Sequence, residues 1–175
     1  MSRKLSVYEI ASVGVSAAML LGVQIVLAPL PNIELVSLLV ICFTKAFGRR
    51  ALYIIYTFAL LEGLVYGFGI WFLTYLYVWT VLYLVVRVLS ELDNSLVWAI
   101  IAAIYGISFG TLTSIPYFFI GGFSGGIAYI VSGAMFDLLH CAGNFVSVLI
   151  LYRPVIHVLN KVESLSARTV SRRAH

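Results

Sequence analysis

An all-α membrane protein, a compact bundle of six transmembrane helices with both termini cytoplasmic, is the fold class this sequence predicts. Three observations carry that expectation. The 175 residues are 62% hydrophobic and only 10% charged, with a mean hydropathy of +1.07; soluble domains run at about 45–50% apolar and about 25% charged. The apolar residues fall into six runs near the roughly 20 residues a helix needs to cross a bilayer. The eleven Lys and Arg residues sit at alternate ends of those runs. A water-soluble fold of this size has no interior large enough for so much apolar surface. The net charge of +4 is spread singly over segment ends, which argues against a nucleic-acid surface.

The first run, Val7 to Pro29, is longer than a signal-peptide core and is followed at once by another, so it reads as a permanent span. It carries two small-residue patterns, Ser12/Ser16 and Gly14/Ala18/Gly22. Such spacing lets helix backbones approach closely, within the bundle or against another membrane subunit. The second run, about 33–47, is short for a span, and Lys45 would snorkel at its end. The third and fourth, about 51–68 and 70–89, nearly merge through Gly67, Phe68 and Gly69. The fifth, about 95–115, contains Gly106 and Gly110, a close-packing pair that favours contact inside the bundle. The sixth, about 126–152, precedes a polar tail from 161 to 175 expected to be disordered. Residues 1–160 are expected to form one substrate-binding domain.

Basic residues occur at Arg3 and Lys4, at Lys45, Arg49 and Arg50, at Arg87, and from Arg153 onward, whereas the connections around 29–34, 67–75 and 116–126 have none. The positive-inside rule therefore places both termini in the cytoplasm, which requires an even number of spans. The outward connections are distinctive. Pro29 to Glu34 is rigid and polar-tipped. Gly69 to Trp79 is dense in aromatics, and Trp71, Tyr75, Tyr77 and Trp79 suit either an interfacial belt or the wall of a small-molecule pocket. Aromatic walls accept flat heterocycles or cations. Pro116 to Gly126 holds four glycines among aromatic residues.

Ionisable groups within membrane-length runs cost about 2.5–3.5 kcal/mol each on insertion scales and usually mark a functional path. Glu62 lies in the outer half of the third run with Tyr66 one turn on. In the sixth run, Tyr129, Gly133, Asp137, His140, Asn144 and Ser147 fall within about 40° of one helical line. The Asp137–His140 pair has several readings: a self-satisfied tie between helices, a ligand-facing pair, a catalytic dyad or a metal site. No nucleophile elbow accompanies it, and His140 is the only histidine in the runs, so catalysis and metal binding have least support. Cys42 and Cys141 lack ligand or redox spacing and read as buried, inert thiols.

Three stretches carry a family likeness: Pro31-Asn32-Ile33-Glu34-Leu35-Val36-Ser37, Leu61-Glu62-Gly63-Leu64-Val65-Tyr66-Gly67, and Ile130 through His140. With the chain's size and span count, they make it resemble the S component of energy-coupling factor (ECF) transporters, in the broad group without an assigned substrate. The resemblance implies capture of a vitamin or related micronutrient from outside, beneath the loops after spans one, three and five. It further implies a transmembrane coupling subunit and two ATPases as partners, with ATP consumed there and no cofactor held in this chain. The family's Ala-xxx-Ala-type contact in the first helix would correspond to the small residues among Ser12, Gly14, Ser16, Ala18 and Gly22. The ligand would be held by Asn32, Glu34, Glu62, Tyr66, Trp71, Tyr75, Tyr77, Trp79, Asp137, His140 and Asn144. The competing expectations are an autonomous ion-coupled carrier using Glu62 and Asp137 as proton relays, and an intramembrane enzyme built on Asp137 and His140.

Overall fold

A computed structural model describes the backbone of residues 6–30 and 33–173, and side chains as far as residue 164; the described residues form helices with short connections and no strands. The order is α1 (Val7–Leu27), α2 (Val36–Phe47), a 3-10 turn (Gly48–Arg50), α3 (Ala51–Tyr66), α4 (Ile70–Val88), α5 (Ser95–Thr113) and α6 (Ile115–Arg173). Local chemistry sets several of the starts. Ser6 and Glu9 form a reciprocal capping box at α1, and Asn94 accepts from the Leu96 and Val97 amides to begin α5.

Four stretches are long and apolar enough to cross a bilayer: α1, α4, α5 and the Ile115–Ser164 part of α6, consistent with a membrane protein. The second run behaves differently. α2 has 12 residues, about 18 Å of helix, against a hydrocarbon core of about 30 Å. All of its residues except Lys45 and Ala46 are buried, and it packs against α1, α3, α4 and α6. A helix buried on nearly every side belongs at the centre of a bundle. α2 is that centre, with α1 laid mainly on α3 and α5 mainly on α6. Outward-facing Val7, Val26, Leu64, Val88 and Phe123 are exposed, which suits a lipid surround.

The two later connections expected to face outward are not loops. Residues 70–79 form the first turns of α4, leaving only Gly67 to Gly69 between α3 and α4. Residues 116–126 belong to α6, which is interrupted at Gly122 (φ 64°, ψ −166°). Only glycine adopts that backbone without strain, and there the chain folds back on itself. Tyr117 stacks on Tyr129 with centroids 4.2 Å apart. The polar segment after residue 160 carries α6 on as far as Arg173.

The α5–α6 contact is close. A Cβ on Gly106 would lie 2.9 Å from the His140 carbonyl and Cys141 amide, and one on Gly110 would lie 2.2 Å from Asp137 Oδ2. Those two glycines let α6 backbone and the Asp137 carboxylate reach α5, the internal use of the pair that its spacing suggests.

The bundle has two chemically distinct ends. At one, Lys45 donates to the Ser90 and Leu92 carbonyls, and Arg50 pairs with Glu9 (3.4 Å) and Glu163. Arg153 holds the Asp93 carboxylate (2.9 Å) and its backbone carbonyl (2.6 Å). Desolvation acts upward on the Asp93 carboxyl; Arg153, with help from the Tyr152 hydroxyl, outweighs it and holds the group below the usual carboxylate range. The opposite end gathers the close of α1, α3 and α5 with the starts of α2 and α4. That is where the acids and aromatics converge.

Candidate functional site

On α4, Trp71, Tyr75 and Trp79 recur every fourth residue and so share one face. Their rings meet edge to face, with centroids 5.3 Å apart for Trp71–Tyr75 and 5.6 Å for Tyr75–Trp79, at 86° and 88°. This is the favoured geometry for aromatic quadrupoles. The ladder continues across the bundle: Trp79 to Phe109 on α5 (5.7 Å), then Phe109 to the His140 imidazole on α6 (4.8 Å). It forms one wall of a cavity of about 480 Å³, within the usual range for small-molecule sites. Gln24, Leu27, Ala28 and Leu30 from α1 and the turn after it, Ile33 and Glu34 before α2, and Glu62 and Tyr66 on α3 complete the lining.

Glu34 is the hub of a polar network. Its Oε1 lies 2.9 Å from His140 Nε2 and accepts from the Ser37 hydroxyl at 2.7 Å, with a longer contact of 3.4 Å from the Ser37 amide. A carboxylate just ahead of the α2 N-terminus, two residues before Val36, also meets the favourable end of the helix dipole. Asn144 Nδ2 donates to Ser37 Oγ and to the Ala102 carbonyl, both at 3.2 Å. The start of α2, α5 and α6 are thereby pinned together beneath the cavity.

Three residues of the lining carry a buried polar atom without a hydrogen-bond partner among the described residues: Gln24 Oε1, Glu62 Oε1 and Trp79 Nε1. Glu62 is 3% exposed and Trp79 1%. Leaving such groups unsatisfied costs about 1–3 kcal/mol each, a cost that a ligand with matching donors and an acceptor would remove. Gln24 Nε2 is engaged with the Tyr75 hydroxyl at 3.4 Å.

Of the residues singled out in the sequence, Glu34, Glu62, Tyr66, Trp71, Tyr75, Trp79 and His140 meet around one cavity. Tyr77 does not: it lies off the ladder face, and its hydroxyl donates to the Leu112 carbonyl (2.7 Å), tying α4 to α5. Asp137 does not either. Its Oδ1 accepts from the Gly110 amide at 2.9 Å, so the Asp137–His140 stripe splits, with each member finding its own partner on another segment. Asn144 is buried in the network below the lining. Asn32 lies outside the described residues.

Sequence reasoning passed over Gln24 and Phe109. Gln24 had a signal, as the lone carboxamide in α1, near its C-terminal end. Phe109 had none, being one of many aromatics in an apolar helix. On α1 the two small-residue patterns face different ways. Ser16 is buried and Ser12 half-buried, whereas Gly14, Ala18 and Gly22 are exposed and a Cβ on Gly14 or Gly22 would meet nothing within 4 Å. Ser16 is therefore closed to any partner outside the chain.

No protein-family model matches the chain, and no characterised protein or solved structure matches it. The functional reading rests on the cavity and on the sequence likeness described above.

Proposed function

We propose that this chain is the substrate-capture subunit of an ATP-driven importer, resembling the S component of ECF transporters. In this reading it is a six-span protein of the cell membrane, both termini cytoplasmic, with α2 as a short central span and α3 as a short span beside it. The cavity would then open outward and take a vitamin or related micronutrient. The single observation that carries the proposal is the convergence of Glu34, Glu62, His140 and the Trp71–Tyr75–Trp79 ladder on one cavity at the end of the bundle remote from the basic residues. In the outer connections that border it, residues 28–34 and 66–71, the sequence contains no Lys or Arg, which agrees with an extracellular face under the positive-inside rule.

Capture is half of the proposed task; the other half is delivery to a coupling subunit and two ATPases. The exposed Gly14/Ala18/Gly22 face of α1 supplies a surface that a second membrane helix could approach closely. Binding needs no ATP here, and hydrolysis belongs to the partners. The competing reading, an autonomous ion-coupled carrier, asks Glu62 and Asp137 to pass protons. It draws less support, because the Asp137 carboxylate is held by Gly110 away from the cavity lining.

Reconstitution separates the two. The chain should take up its ligand only when the coupling subunit and both ATPases are present with ATP. Uptake by the chain alone in proteoliposomes, driven by a proton gradient, would establish the carrier instead.

A further inference from the structure

We infer that the cavity selects a small, planar organic cation that presents N–H donors, such as an amidine or a protonated aminoheterocycle. This deepens the capture reading and rests on it. The sign of the lining is the first argument. It contains two carboxylates, Glu34 and Glu62, one imidazole and no lysine or arginine. His140 is already matched to Glu34 at 2.9 Å, so even a protonated imidazole leaves that pair neutral. Glu62 then has no basic side chain in the lining to balance it. In a low-dielectric cavity a cation would draw the Glu62 carboxyl into its ionised form and be neutralised by it, whereas an anionic ligand would find no positive partner in the lining.

Hydrogen-bond polarity points the same way. Of the unpartnered atoms, Gln24 Oε1 accepts, Glu62 Oε1 accepts once a cation holds the carboxyl ionised, and Trp79 Nε1 is a donor. A matching ligand brings more N–H groups than acceptors, and at least one acceptor, as a ring nitrogen or carbonyl. The third argument is the wall. Trp71, Tyr75 and Trp79 supply indole and phenol rings, the side chains that attract cations most strongly, and their apolar bodies favour a flat partner.

Three isosteric probes test this without knowledge of the natural ligand: benzamidine (cation), benzamide (neutral) and benzoate (anion). Each is titrated against the purified full chain in detergent, with tryptophan fluorescence as the readout. Benzamidine is expected to bind at least about tenfold more tightly than benzamide, with benzoate weakest. In Glu62→Gln, which keeps shape and hydrogen bonding, the benzamidine-to-benzamide ratio should fall to within about threefold. In Gln24→Leu both probes should weaken while the ratio persists. Equal or tighter binding of benzamide or benzoate, or no saturable binding by any probe, overturns the inference in the wild-type protein alone. A preference undiminished in a folded Glu62→Gln protein also overturns it. Such results leave the capture reading intact, since that falls only if ATP-dependent uptake with the partner subunits fails.

Discussion

His140 and Asp137 are three residues apart on one helical face, yet they serve different neighbours: Glu34 at 2.9 Å and the Gly110 amide at 2.9 Å. A helical wheel gives the angle of a side chain but not the identity of the segment it meets. The polar stripe was therefore legible in the sequence, while its division between cavity, helix contact and buried brace was not. Asn144 illustrates the brace. It bonds Ser37 and Ala102 while 1% exposed, and Asn144→Leu should destabilise the protein by roughly 0.6–1.7 kcal/mol, the span measured for polar contacts between membrane helices. Thermal unfolding in detergent reads this directly, and an unchanged midpoint would deny Asn144 that role. At the basic end, Asp93 has its pKa lowered by Arg153 against an upward push from desolvation. A carboxyl lowered on folding adds stability above its unfolded pKa of about 3.9 and loses it as pH falls through the folded value. The side chain is 63% exposed, so the effect is small. Asp93→Asn should lower the melting midpoint slightly at neutral pH, and the gap should close below about pH 4.

Among the elements, α2 and α4 depart most from expectation. The run at about 33–47, of which 12 residues form α2, looks like a weak span when length is the criterion. Its scarcity of polar residues, Ser37, Thr44 and Lys45 alone, is the better clue, because a helix apolar on most sides is buried on most sides. On α4, aromatic density suggested a connection, whereas the four-residue spacing of Trp71, Tyr75 and Trp79 is the helical signature that places them on one wall. The boundary of α6 was missed because four glycines and a proline in residues 116–126 resemble loop composition; the backbone turns sharply only at Gly122. α1 carries an element-scale prediction. Gly14→Leu or Ala18→Leu, on the exposed face, should impair uptake while ligand binding and folding are retained. Ser16→Leu, on the buried face, should instead destabilise by about 1–3 kcal/mol through overpacking. Equal effects of all three on stability, with uptake spared by the first two, would remove the case for a partner on that face. Gly110→Leu should be worse than either, since its Cβ alone would sit 2.2 Å from Asp137.

Viewed as a whole, the molecule separates its chemistry by end. Lysine and arginine side chains close one end by holding carbonyls and carboxylates at Ser90, Leu92, Asp93 and Glu163. Carboxylates and aromatics line a cavity at the other. Overall composition and alternation of charge made the helical membrane class and this polarity readable in advance, because both depend on counts along the chain. The cavity depends on contacts as distant as Glu34–His140, 106 residues apart; the sequence singled out both of these residues, Glu62 and the aromatics, but not their pairing. The central claim is that this cavity captures a small molecule unaided by nucleotide. Native mass spectrometry of the purified chain tests it most directly. The account predicts one small molecule bound per chain without ATP, lost from a folded Trp79→Ala protein and weakened in Glu62→Gln. A wild-type protein that carries no ligand and binds none across a panel of vitamins and precursors would contradict it.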